Sequence, residues 1–163
     1  MPTEFSYSND LSLLILDIVQ NSLKADARRV EIEISKDAFK TSLRISDNGR
    51  GIKKDKLDKL QAGHGLSNLF TAAKKRGGTF DITTEKGKTE ITATFNGAIE
   101  FGDLCGTATA LTVAEKDVEF IWILKSNGET ARFSTLDIPY PRTYREIENY
   151  LNQEFNFIGG SQL

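Results

Sequence analysis

Cysteine, histidine and proline are scarce in these 163 residues, which hold one, one and three of them. A lone thiol, Cys105, excludes an intramolecular disulfide and fits a reducing compartment, and one cysteine with one histidine cannot build a Cys/His zinc site. Long apolar runs are missing too. The longest, "LLIL", falls far short of a bilayer span, and "MPTEFSYSND" is not a signal peptide, so the expected location is the cytoplasm with no membrane partner. Nor is there an excess of positive charge: 21 Lys and Arg stand against 23 Asp and Glu, a net charge of −2, which argues against nucleic acid as a partner. No Gly-x-x-x-x-Gly-Lys-Ser/Thr occurs, so the P-loop route to a nucleotide is closed.

What remains is an ordinary globular composition, 39% hydrophobic and 27% charged, enough for one core or one domain with an annex. The segment "DLSLLILDIVQNSLK" predicts a helix from Asp10 to Lys24, with Asn9 or Asp10 as N-cap. It is apolar nearly all round except for Asp17, Gln20, Asn21 and Lys24, whose spacing makes one narrow polar stripe. "RVEIEIS" and "TSLRISD" alternate as two strands of an antiparallel hairpin, which leaves Asp47 at a strand end. The strand runs into "DNGRGI". A short charged segment, "KKDKLDKL", leads to a second glycine turn, Gly63-His64-Gly65, which opens a helix with Leu66, Leu69, Phe70 and Ala73 on its apolar face. Lys74, Lys75 and Arg76 suit its C-terminus, and Gly77-Gly78 ends it.

"TFDITTE" and "KTEITATFN" predict a second hairpin turning near Lys86-Gly87. Beyond Asn96 come a helix from Asp103 to Ala114, a hairpin turning at Asn127-Gly128, and an amphipathic helix with Ile147, Leu151 and Phe155 on one face; Pro139 and Pro141 mark the connection. The order lacks the alternation of a doubly wound fold. It predicts an α+β arrangement, helices on one face of a mixed, mostly antiparallel sheet, divided into residues 1–96 and a helix-hairpin-helix extension of residues 97–163.

Three stations carry chemistry: "DIVQN" on the first helix, "DNGRGI" after the second strand, and "GHGLSNL" opening a later helix. Glycines let backbone approach a flat or anionic ligand, and a helix N-terminus offers free amides to phosphate. Asp47 suits an exocyclic amine of the kind adenine carries. Asp17 and Asn21, one turn apart, suit a hydrated magnesium ion and an oriented water. His64 reads as a loop residue rather than a base, and Lys53, Lys54, Lys56 and Lys59 as a solvated face near the phosphate end. Phe120 and Trp122 read as core or interface, and Cys105 as helix packing.

In this order, "D-x-x-x-N", "D-N-G-x-G-I" and "G-x-G-L" resemble the nucleotide-binding boxes of the GHKL superfamily of gyrase, heat-shock chaperone, histidine kinase and mismatch-repair ATPases. The resemblance covers residues from about 10 to 96 and implies a Bergerat-type two-layer α/β sandwich that binds ATP and Mg²⁺. It implies Asn21 as the magnesium residue, Asp47 as the adenine-recognising aspartate, and Gly49, Gly51 and Ile52 as the turn around the base. Gly63, His64, Gly65 and Leu66 fall on the phosphate side. Asp17 stands where the family usually has glutamate, the catalytic position, and its carboxylate sits about 1 Å further back from a water.

The 11 residues from Ile52 to Ala62 resemble the short lids of some sensor kinases, and no histidine precedes the domain as phosphoacceptor. More narrowly, "LSLLILDIVQNSLKADARRVEIEI", "FGDLCGTATALTVAEKDVEFIWIL" and "FSTLDI" resemble small stand-alone bacterial histidine-kinase-like ATP-binding proteins, in which aspartate in the first box is ordinary. The resemblance implies an adenine nucleotide and a regulatory protein as partners, and a homodimer stays open. So does turnover. Phosphoryl transfer to a partner's serine or histidine, slow hydrolysis, and a non-catalytic binding module all fit the pattern.

Overall fold

The computed structural model describes residues 10–61, 67–97, 99–138 and 143–156. Helix α1 (Leu11–Lys24) starts at Asp10, whose carboxylate accepts the Ser12 amide at 2.9 Å, one of the donors a helix start leaves unpaired. Leu11, Leu14, Ile15, Ile18 and Val19 are buried, whereas Asp17, Gln20 and Lys24 are exposed along the expected polar stripe. Each of those apolar side chains contributes about 1.5–3 kcal/mol when fully removed from water. Strands β1 (Arg29–Lys36) and β2 (Lys40–Asp47) follow as a hairpin.

Next in the chain are α2 (Lys54–Gln61), α3 (Ser67–Lys75), β3 (Phe80–Glu85) and β4 (Lys88–Asn96). Then come α4 (Leu104–Ala114), β5 (Glu119–Ser126), β6 (Glu129–Ser134), one 3-10 turn (Thr135–Asp137) and α5 (Tyr144–Phe155). The charged segment after the first glycine turn is therefore a helix. It contains no breaker, carries Asp55 in its first turn where the helix dipole favours an acid, and half-buries Leu57. The turn at Asn127-Gly128 has φ of 53° and 82°, the left-handed pair a tight hairpin needs.

The six strands form one sheet in the order β3-β4-β2-β1-β5-β6. Neighbours are antiparallel except β1 and β5, which run parallel from Arg29 opposite Glu119 to Lys36 opposite Ser126. The mixed, mostly antiparallel sheet matches the expectation, and the late hairpin extends it on the β1 side. Alternation sends Val30, Ile32, Ile34, Leu43 and Ile45 to the inner face, where α1, α3, α4 and α5 cover them. Trp122 is fully buried there, edge-on to Phe155 of α5 at 5.0 Å between ring centres. The outer face is polar: Arg44 sits among Glu31, Glu33 and Glu90, and Lys125 reaches Glu33 at 3.1 Å. Among the described residues no helix is long and apolar enough to cross a membrane.

Candidate functional site

Asp47 closes β2, opposite Val30 of β1 on one side and Thr89 of β4 on the other. It is 9% exposed, unusual for a carboxylate with no cationic partner among the described residues. Hydrogen bonds compensate. Ser22 Oγ, from α1, donates to Oδ2 at 2.6 Å, and the Gly49 amide donates to Oδ1 at 2.8 Å. Both oxygens are oriented, and each retains acceptor capacity.

The glycine turn is held from three sides. Arg50 donates its amide to the Ala25 carbonyl at 2.9 Å, Gly87 donates to the Gly49 carbonyl at 3.1 Å, and Ile52 donates to Thr84 Oγ1 at 3.0 Å. A β-carbon at Gly49 would lie 2.8 Å from the Ala25 carbonyl oxygen, and Gly51 has φ of +91°, so both positions demand glycine. The turn comes within backbone contact of α1's end. Asn48 secures that end by accepting the Arg28 and Arg29 amides at 2.8 and 2.9 Å.

A cavity of about 610 Å³ opens between α1, the turn and β4. Its deep wall is apolar, with Ile18, Ile52 and Ile91, and carries the polar pair Asp47 and Thr89. Lys24, Lys53 and Lys56 also line it, and none has a carboxylate partner among the described residues. Arg50 is committed elsewhere, to Asp26 at 3.0 Å and to the Lys24 carbonyl. A second, polar cavity of about 270 Å³ adjoins along α1, lined by Asp17, Gln20, Asn21, Lys24 and Asn68. Ile18, Asn21 and Lys24 belong to both. The pair has the shape of a ligand with a flat apolar end and a charged tail.

Asn21 donates its amide to the Asp17 carbonyl at 3.2 Å, which leaves its side-chain oxygen without a donor among the described residues. That oxygen is a hard ligand of the kind magnesium takes. No group of three or more acidic, histidine or cysteine side chains that could hold a metal occurs among the described residues, so an ion here would rest mainly on ligand oxygens and water. Asp17 Oδ2 accepts from Asn68 Nδ2 at 3.0 Å, tying α1 to α3.

Of the residues singled out from sequence, Asn21, Asp47, Gly51 and Ile52 line the larger cavity, Gly49 holds Asp47 through its amide, and Asp17 lines the smaller cavity. Gly63, His64, Gly65 and Leu66 lie outside the described residues. Lys53 and Lys56 are exposed, as expected of a solvated face, yet border the cavity. Phe120 and Trp122 are core, and Cys105 packs on α4 with its thiol against the Glu148 carbonyl at 3.7 Å. Burial pushes that thiol's pKa up, which disfavours the nucleophilic thiolate. Ser22, Thr84, Thr89 and Asn68 had escaped sequence reading; for Ser22 the available signal was its place directly after Asn21 of the polar stripe.

A family model described as "Histidine kinase-, DNA gyrase B-, and HSP90-like ATPase" matches residues 6–99. The DNA mismatch repair protein MutL of Shewanella baltica is 45% identical over 58 residues, 36% of this chain and 9% of that protein. MutL of Klebsiella pneumoniae is 43% identical over 56 residues, 34% of this chain and again 9% of the relative. Each match thus spans about a tenth of the relative's length. The Aquifex aeolicus MutL ATPase domain complexed with ADP superposes with a TM-score of 0.49 at 17% identity, covering 87% of this chain and 68% of that one.

Proposed function

This chain belongs to the histidine kinase-, DNA gyrase B- and HSP90-like ATPase family, the GHKL superfamily, and from that membership we propose a cytoplasmic protein that spends Mg-ATP on phosphoryl transfer to a regulatory partner. Slow hydrolysis is the reaction when water takes the acceptor's place. The observation that carries the reading is Asp47, buried at the end of a cavity of about 610 Å³ with both oxygens oriented. Adenine would lie against Ile18, Ile52 and Ile91 with its amine on Asp47, and the phosphates would run past Lys24 toward the smaller cavity, where the motif implies Gly63, His64, Gly65 and Leu66 as their ligands.

Magnesium fits the free Asn21 oxygen and would supply charge neutralisation on the phosphates. Lys53 and Lys56 add fixed positive charge near the mouth. Asp17 would orient the acceptor's hydroxyl, imidazole or water, so that the γ-phosphoryl leaves ADP and bonds to that atom while the acceptor proton is released. Residues 1–96 would carry the nucleotide site, and residues 97–163 the surface for the partner or a second copy of the chain.

A non-catalytic nucleotide-binding module is favoured by one observation: the shortened Asp17 side chain is engaged by Asn68 at 3.0 Å. Assays of labelled phosphate release and transfer separate the two. Turnover that disappears in Asp17→Asn supports catalysis, and unchanged binding with no product supports the module. The binding reading itself is tested by Asp47→Asn, which puts a donor-bearing amide where an acceptor is needed. Calorimetric titration is expected to show a loss of about 1–3 kcal/mol in ATP and ADP affinity. Full affinity in a variant that melts like the parent would overturn the role of Asp47.

A further inference from the structure

Another cavity, of about 350 Å³, lies between the end of α4, the start of β5, the 3-10 turn and α5, and shares no lining residue with the other two. Val113, Val118, Leu136 and Ile147 give it apolar walls. Two threonines line it as well, and backbone groups fix the direction of both hydroxyls. Thr112 Oγ1 donates at 2.7 Å to the Ala108 carbonyl, which can only accept, so toward the cavity Thr112 is an acceptor. Thr135 Oγ1 accepts the Phe120 amide at 3.0 Å, which can only donate. The Thr135 proton is left without an acceptor among the described residues, although the residue is 3% exposed.

The cavity thus offers one donor and one acceptor among apolar walls, the complement of a peptide's carbonyl and N–H. Its charges favour the same ligand. Glu115 and Lys116 line it side by side, neither in an ion pair among the described residues, and their opposite signs cancel for a ligand that meets both. An organic anion would gain from Lys116 and lose to Glu115, and a cation would do the reverse. A neutral peptide bearing an apolar side chain meets neither penalty. Leu136, 60% exposed, adds apolar surface at the mouth, and the volume stands at the small end of ligand sites, enough for an anchoring side chain.

We propose that this cavity is a docking site for a partner protein. It takes one apolar side chain of leucine size from a segment whose backbone carbonyl accepts from Thr135 and whose N–H donates to Thr112. The site deepens the reading that residues 97–163 carry the partner surface, and rests on it. Its place in the sheet suits that role. Phe120 of β5 stands opposite Val30 of β1, and Val30 stands opposite Asp47 of β2. Two strand spacings, about 10 Å, therefore separate the strand bonded to Thr135 from the strand that bears Asp47.

The test titrates N-acetyl-leucine N-methylamide, an uncharged capped residue, into the full chain while amide NMR signals are followed. Saturable shifts of the Val118, Phe120 and Leu136 amides are expected, with a dissociation constant of about 1–10 mM, the range for so small a ligand. The alanine analogue lacks the side chain, and isocaproate and isoamylamine carry charge; each should bind at least about fivefold more weakly. Thr112→Val keeps the shape and loses the acceptor, and Leu136→Ser strips the mouth. Either should weaken the capped leucine about threefold to tenfold, with melting curves as the fold control. Should Thr112→Val not fold, Thr112→Ala takes its place. No saturable shift up to about 50 mM, or a charged probe binding as tightly as the capped leucine, overturns the docking site. So does a parent that sediments as a dimer and falls to a monomer in Leu136→Ser, which would give the cavity to a second copy. Failure of the capped leucine sinks this site and leaves the rest of residues 97–163 as the partner surface, whereas its binding to a chain that takes no adenine nucleotide sinks the nucleotide reading alone.

Discussion

Single side chains decide more here than their number suggests. Asp26 ends α1 with φ of +61°, and the amides of Asp26 and Ala27 return to the carbonyls of Leu23 and Ser22, the cap geometry that glycine favours. Its ion pair with Arg50 joins groups whose side chains are 71% and 69% exposed, and such a pair contributes little. Asp26→Gly is therefore expected to raise stability by about 0.5 kcal/mol, read from urea unfolding, relief of the left-handed strain outweighing glycine's extra entropy. Sequence made Asp47 and Asn21 legible because each stands in a patterned motif. Ser22, Thr84 and Thr89 were not legible, since a serine in a helix or a threonine in a strand carries no mark of the hydrogen bond it will make across the fold.

Elements hold the site through close backbone approach and charge. α3 ends with Gly77 at φ of +69° and the Gly78 amide on the Ala73 carbonyl at 2.8 Å, as the Gly-Gly pair led one to expect. A β-carbon on Gly78 would stand 1.7 Å from the Thr94 carbonyl oxygen of β4, so helix and strand would have to separate. Gly78→Ala is expected to cost about 2 kcal/mol or more in thermal or denaturant unfolding, against about 1 kcal/mol for Gly87→Ala, whose β-carbon meets nothing within 4 Å.

On the outer face of the sheet, burial alone would raise the Glu33 pKa, but hydrogen bonds and charge from Arg44 and Lys125 hold it below the ordinary 4.5. A carboxylate depressed in the folded state adds stability above its unfolded pKa and loses it as pH falls through the folded value. Unfolding free energy should therefore decline as pH drops below about 4.5, and Glu33→Gln should flatten part of that decline in a pH series of denaturant titrations. Helix α2 was legible only as a helical pattern in a charged segment, because a solvated helix with one half-buried leucine shows scarcely any apolar period.

At the scale of the molecule, the proposed division of labour at residue 96 crosses a single sheet. Strand β5 gives β1 its second partner along eight residues and brings Phe120, Trp122 and Leu124 to the core. A chain ending at residue 97 would leave β1 as an open edge with its apolar neighbours gone. We expect it to aggregate or to lose near-ultraviolet circular dichroism, and a monomeric, cooperatively melting fragment would refute the dependence. The late hairpin was legible as a hairpin, but its partner was not: alternation names the buried face of a strand and says nothing of which edge it will join. Parallel pairing also has a cost in time. β1 and β2 meet through a short turn, while β1 must wait for residues 119–126, so the strands bearing Asp47 and Thr89 can pair before the sheet closes.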